Sequence, residues 1–460
     1  MPTILTIDLG TTYFKVGLFD HEGTLLHLDR VAPPVQHPQP GQWELPVTEF
    51  LATVRAAIGR LRIARNGGLN DVAAVTFATQ ANSFVLMDER NEPFTSLILW
   101  PDERANPADP RIMALSNLPD FRGRTGIPAL GPQFMIAKLL WLRQNQPQVW
   151  QRARRLCHLS DYLTFWLTGQ HVTEGGVAGL TGLLDIAQLD WWPKALEMVG
   201  LPSNWLPHVV RAGTDLGPIR PAIAGEIGLP ASCRFIVGCL DQYAGAIGAG
   251  NLQPGGVSET TGTVLATVTV LDQLPTSPAD GVFIGPAYAP DRYFAMSFGN
   301  TSANLLDWYR STLPGSPDYA DLGRLAAARP ACSAGLVITP YAGGGPMAAS
   351  FNQVRPGHSI GQVVRAIMEA AARALADQVH SLSPAGRPHD VRSAGGAATS
   401  DFWCQIKADI LGIPILAPTC PEPTSLGAAL LAARALNWGD LGDIIPRWVK
   451  IRRAFHPSGR

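Results

Sequence analysis

The chain has 460 residues, more than one hydrophobic core usually organises, so at least two domains are expected. Its 36 Lys and Arg nearly cancel its 37 Asp and Glu, and 46% of the residues are hydrophobic. That balance gives no reason to propose nucleic acid or an acidic membrane surface as partner, and no apolar run approaches the length of a membrane span.

The chain opens as β-structure. "TILTIDLG" and "FKVGLFD" are short strands joined through "TTY", and "HEG" turns into a third, "TLLHLDRVA". Phe50, Val54, Ala57, Ile58 and Leu61 share one face of a helix over about 48–62, with Thr48 as its cap. "VAAVTFA" is a buried strand, and "SFVLMD" and "SLILW" form a hairpin around "ERNEP". Residues 134–170 read as two helices, "FMIAKLLWLRQN" and "VWQRARRLCHLSDYLTFWLTG"; residues 171–232 read as loops with short helices. In "FIVGCLDQYAGAIGAG" an apolar strand runs into Asp241 and then a helix of small residues. The pattern then restarts with a second hairpin, "GVSETTGTVLATVTV". After it come a strand "GLVITP", a long amphipathic helix "IGQVVRAIMEAAARALADQVHSL" and a strand with a glycine turn, "VRSAGG". A helix "SDFWCQIKADILG", a strand "IPILAP" and a last helix "TSLGAALLAARAL" follow. The pattern predicts two α/β domains facing one cleft, residues 1–250 and 251–460, with a boundary near 249–255. The six cysteines form no CxxC pair and read as reduced, buried thiols. The start "MPTILTIDLG" has neither a basic n-region nor a cleavage site, so a cytoplasmic protein is expected. The ten histidines show no metal-ligand spacing, so no zinc site is assigned.

Three stretches carry chemistry. In "DLGTTYFK" the turn Gly10, Thr11 and Thr12 can wrap polyphosphate oxygens, Asp8 can hold Mg²⁺ through water, and Lys15 adds charge. The alternative is an ordinary hairpin. "ETTGTV" repeats the device with Thr261, Gly262 and Thr263, and two such turns make a clamp. In "SAGGAATSDFWCQIKADILGIPI" Gly395 and Gly396 let a strand end turn against a flat ring, and Thr399 or Ser400 caps the next helix. Trp403, Ile406 and Ile410 read as core. Glu422 reads as a capping or first-turn acid of the last helix.

With "ILWPDERA", "TGIPALGPQFMIAKLLWL", "SDYLTFWLTG" and "EPTSLGAALLA", these pieces run in order along nearly the whole chain. In number and order they resemble the FGGY carbohydrate kinases. The resemblance implies an α/β, two-domain actin-like ATPase (ribonuclease H-like) fold with a central cleft. It implies ATP and Mg²⁺ as cofactors and Asp241 as the general base for a sugar hydroxyl; a helix N-cap is the other reading of that Asp. Substrate binding then falls to Gln80, Asn82, Trp100, Asp102 and Gln242, the alternative for Asp102 and Arg104 being a surface ion pair. ATP binding falls to Gly10, Thr11, Thr12, Lys15, Thr261, Gly262, Thr263, Gly395, Gly396 and Thr399, and the metal to Asp8. The expected partner is a small sugar or polyol, with a homodimer as the assembly to consider.

Two departures bear on substrate. Xylulose kinases usually read G-Q-M-H-G and glycerol kinases G-Q-R-E where this chain has "TQANS". The segment 340–362 lacks the Glu and Arg of the family's P-Y-x-x-G-E-R-x-P and is short, so a trimmed loop on the nucleotide side is expected. A pentulose such as xylulose is the leading substrate, with glycerol, gluconate or another polyol as alternatives. A non-catalytic sugar or nucleotide sensor is the rival of another class.

Overall fold

The computed structural model describes residues 1–66, 68–262, 264–332, 335–339, 347–383 and 386–459. Two seven-stranded sheets carry the molecule. The first is built from β1 (Thr3–Leu9), β2 (Phe14–Phe19), β3 (Leu25–Val31), β4 (Val72–Thr79), β5 (Asp215–Pro218), β6 (Arg234–Ile236) and β7 (Cys239–Leu240). Its order is β5-β6-β4-β1-β2-β3, with β7 also on β4. β1 to β3 run antiparallel, while β4 lies parallel to β1 and to β6 and β7. The second sheet repeats this plan with β8 (Gly256–Thr261), β9 (Leu265–Leu271), β10 (Phe283–Pro286), β11 (Tyr293–Gly299), β12 (Asp390–Ala394), β13 (Ile415–Pro418) and β14 (Ile451–Phe455). Its order is β10-β11-β9-β8-β12-β13-β14, with β12 parallel to β8 and to β13.

Side-chain alternation decides what each face covers. Leu5, Ile7 and Leu9 pack outward on Phe50, Val54 and Ile58 of helix Val47–Ala64. Ile4, Ala74 and Ala78 point to the other face. There they meet two helices, one over Asp241–Gly248 and one over Pro423–Ala435. The same cluster takes Val268, Val270, Phe294 and Met296 from the second sheet, so this helix pair is a shared middle layer. Its helices cross backbone to backbone. A Cβ on Gly248 would lie 1.8 Å from the Pro423 carbonyl oxygen, and one on Gly427 1.8 Å from that of Ala244. The small residues behind Asp241 serve this contact.

Several expectations change. The second helix of 134–170 divides into Pro147–Arg152, a strand Arg155–His158 and a helix Leu159–Thr168. Arg155–His158 pairs with Phe84–Met87, and sheet pairing overrides the helical pattern there. The "SFVLMD"–"SLILW" hairpin is present, held by Phe84 opposite Ile98. Thr48 lies inside its helix, whose N-cap is Pro46. Residues 335–339 of "GLVITP" form no strand; Leu336 and Ile338 pack into the cluster around helix Ile360–Leu382 instead. The helix from 423 is not the last, since Leu441–Trp448 and β14 follow it. Strands β10 and β11 were not foreseen. All six cysteines are free, and Cys332 is exposed rather than buried.

Replacing Gly427 by Ala must push the helix pair apart. A loss of about 1–3 kcal/mol is expected from such overpacking, read from denaturant midpoints at unchanged slope. Gly59→Ala is the control: nothing lies within 4 Å of its Cβ position, so a gain of up to about 1 kcal/mol is expected.

Candidate active site

The predicted groups gather where strands end. Asp8 lies near the C-terminal end of β1, Gln80 follows β4, and Asp241 follows β7. β1 and β7 both pair parallel with β4, so the C-terminal ends of these three strands share one edge of the sheet, the edge at which α/β sheets bind ligands. Asp241 is the first residue of its helix, and Leu240 is the cap. The N-cap reading of Asp241 therefore does not hold. Its Oδ1 accepts the Gln242 backbone N–H at 2.7 Å, and the residue stays partly open to solvent. Burial, then the charge of Asp8, pushes its carboxyl up to about 7, against the pull of Lys15. Burial likewise raises Asp8 to about 6, although Lys15 lowers it. Lys15 lies 3.4 Å from Asp8 and 2.9 Å from Glu422. Burial opposes its charge, yet Asp8 and Glu422 raise its pKa.

Glu422 holds the expected N-cap position of its helix, but its side chain is used elsewhere. It makes no side-chain cap bond; its carboxylate takes Lys15 and Arg30 from the first sheet. No local pattern could point to this pair, because 407 residues separate Glu422 from Lys15.

The substrate set divides. Trp100 is 38% exposed, and its indole N–H donates to Thr11 Oγ1 at 2.8 Å. Gln242 is half-buried beside Asp241. Gln80 turns inward: its Nε2 donates to the Leu9 and Gly10 carbonyls and its Oε1 accepts from Ser83. Ser83 Oγ in turn accepts the Trp100 backbone N–H, so one chain of bonds ties the Trp100 segment to the 10–12 turn. Asn82 Oδ1 accepts the Met135 N–H and serves as a distant helix cap. Asp102 is no surface ion-pair partner, since its side chain is 0% and that of Arg104 3% exposed. Both its oxygens are taken by Arg104 and the Trp43 N–H. Arg104 reaches on to Glu44.

Lys138 was missed. Its Nζ donates to the Leu99 and Trp100 carbonyls, and burial lowers its pKa to about 7. A lone Lys in the apolar run "MIAKLLWL" was the available signal. Glu174 was missed too. It accepts the N–H groups of Gly176 and Val177 and that of Leu240, the residue before Asp241; burial pushes it up to about 7.

On the second sheet, Gly262 follows β8 and Gly395 follows its parallel neighbour β12. Gly395 has φ +80°, and a Cβ there would lie 3.1 Å from Thr260 Cγ2, so this turn lies close against the end of β8. Gly262 and Gly396 have nothing within 4 Å of their Cβ positions. The Thr261 hydroxyl points inward to Glu259 and Lys407. Thr12 is exposed, and so is Thr399, whose hydroxyl bonds the Gly396 carbonyl; Ser400 caps the following helix. Trp403 and Ile406 are core, as expected, and Ile410 packs partly buried against it. Thr263 and residues 340–346 of the expected trimmed loop lie outside the described residues.

Residues 3–248 match the FGGY family of carbohydrate kinases, N-terminal domain, and residues 257–436 match its C-terminal domain. The chain belongs to this family. It is 26% identical to a xylulose kinase of Staphylococcus epidermidis, over 99% of this chain and 92% of that protein. It is 26% identical to a glycerol kinase of Renibacterium salmoninarum, over 98% and 93%. Its structure matches that of a ligand-bound xylulose kinase from Lactobacillus acidophilus at a TM-score of 0.89 and 25% identity, covering 100% and 94% of the two chains. The fold is therefore the two-domain actin-like ATPase fold. The chain is an FGGY sugar or polyol kinase, a phosphotransferase that uses ATP and an alcohol acceptor. Among the described residues no helix is long and apolar enough to cross a membrane.

Mg²⁺ suits the residues present. Among the described residues no three ligating side chains cluster, and this ion is commonly held by one or two carboxylates plus substrate phosphates. Asp8 supplies such a carboxylate.

A pH test follows from Asp241. Its pKa is raised in the fold above the ordinary carboxylate value of 3.8. The stability its protonated form contributes is present below about 4 and lost as pH rises through about 7. In EDTA and without nucleotide, Asp241→Asn is expected to melt above the parent at pH 8. The gap should narrow steadily towards pH 5.

Proposed function

We propose that the chain phosphorylates a hydroxyl of a pentulose such as xylulose, with Asp241 as general base. The observation that carries this is a half-open carboxylate at a strand's end, its pKa raised to about 7, beside Asp8 and Lys15. A base with that affinity takes a proton efficiently near neutrality. The names of the xylulose kinase relatives support the substrate class.

Residues 1–250 form the sugar lobe and residues 251–460 the nucleotide lobe in this reading. The sugar lies against Trp100 and Gln242, with its reacting hydroxyl at Asp241. The phosphate chain lies between the turn at Gly10, Thr11 and Thr12, with Lys15, and the turns at Gly262, Gly395 and Gly396. Asp241 takes the hydroxyl proton as the oxygen attacks the γ-phosphorus, and the bond from that phosphorus to the β-phosphate oxygen breaks to release ADP. Asp8, with the phosphates, would hold Mg²⁺, which would supply charge neutralisation at the transferring group. Lys15 adds to that neutralisation, and the Trp100–Thr11 bond holds the sugar element against the phosphate turn. The six unpaired cysteines fit a reducing, cytoplasmic setting.

A shorter polyol such as glycerol is the second reading. It is favoured by Gln80, Asn82 and Asp102, which bond within the protein and leave few polar groups for a long chain of hydroxyls.

A coupled ADP-release assay over xylulose, ribulose, gluconate and glycerol decides between them. The highest kcat/KM is expected for a ketopentose; a clear preference for glycerol selects the second reading, and no turnover with any of the four refutes both substrate readings. With the best acceptor, Asp241→Asn is expected to lower kcat by about 10³-fold while nucleotide binding persists. Near-normal turnover would remove Asp241 from the role of base.

A further inference from the structure

A buried ion pair lies beneath the two turns of the second lobe. Glu259 on β8 faces Ser393 on β12 in direct register. Lys407 reaches them from helix Asp401–Leu411, which starts just after the Gly395 turn. The side chains of Lys407 and Glu259 are 1% and 0% exposed. Lys407 Nζ donates to Glu259 Oε1, to Thr261 Oγ1 at 3.0 Å and to Ser393 Oγ at 3.1 Å. That accounts for all three of its protons. Ser393 Oγ donates to Glu259 Oε1, and Thr261 Oγ1 donates to Glu259 Oε2 at 2.6 Å. The network is closed and fully satisfied.

Stability alone gives no reason for it. A buried ion pair is often matched or bettered by apolar residues of the same volume, so its advantage lies in direction rather than in strength. Here the direction is specific. The network holds Thr261, next to Gly262, and Ser393, two residues before Gly395. Between those points the Gly395 turn lies against the end of β8: its φ of +80° favours glycine, and its Cβ position is 3.1 Å from Thr260 Cγ2 and 3.4 Å from the Thr261 carbonyl oxygen.

We propose that Glu259 and Lys407 are positioning residues: by fixing Thr261 and Ser393 they set the spacing of the Gly262 and Gly395 turns, and so the affinity for the phosphate chain of a nucleotide. Neither touches the nucleotide. The inference rests on the reading of these turns as the nucleotide site.

The test is calorimetric binding of ADP to the full chain without sugar, with melting temperature measured in parallel. The double variant Glu259→Leu/Lys407→Met removes both charges together, so neither is left buried and unpaired, while the Thr261 and Ser393 hydroxyls lose the partners that fix them. It is expected to fold and to bind ADP about tenfold more weakly. Ser393→Ala removes one hydroxyl and keeps the measurement available if the double variant does not fold; a loss of about threefold is expected, with the melting temperature little changed. Folded variants that bind ADP within twofold of the parent overturn the proposal. A parent chain that binds no ADP refutes instead the reading of the turns on which it rests.

Discussion

Two helices that touch backbone to backbone hold this protein together. Gly248 and Gly427 face carbonyl oxygens at distances no side chain can occupy. Because of that approach, one helix pair serves as the middle layer for both sheets, with Ile4 and Ala78 on one side and Val268 and Phe294 on the other. Both helices begin at the site: one at Asp241, the other just after Glu422. Close packing of the pair and placement of those two acids are one constraint.

The charges at that end are arranged around Lys15. It is shared by Asp8 and Glu422, and Arg30 shares Glu422 with it. A carboxylate from the second half of the chain therefore sits against strands of the first. Asp241 remains outside these ion pairs, and burial together with the charge of Asp8 disfavours its ionised form. A weakly ionised carboxyl that keeps an open face is suited to accept a proton, whereas one clasped by Arg or Lys would hold its charge and do little.

Much of the site was legible because it lies in short, local patterns. An apolar strand ending in Asp241, a Gly-Thr-Thr turn after Asp8 and paired glycines after β12 each need only a few neighbouring residues. The substrate residues were less legible. Gln80, Asn82 and Asp102 are polar residues beside strand ends, yet each spends its oxygen or nitrogen on the protein: a turn carbonyl, the start of a helix, a buried arginine. Glu259, Lys138 and Lys407 could have been flagged as charged residues at core-facing positions of a strand and two helices. Their partners could not, since those come from elements far apart in the chain.

The sequence by itself determined the two α/β halves, the hairpin that opens each, the long helix Ile360–Leu382 and the position of Asp241 at a strand's end. These follow from periodicity and turn chemistry, which act over a few residues. Only the tertiary structure decided that Arg155–His158 is a strand, that Glu422 grips Lys15 rather than capping its helix, and that Thr261 faces inward. In each case a partner distant in sequence outweighs the local preference, because burial next to that partner satisfies groups the local pattern leaves unpaired.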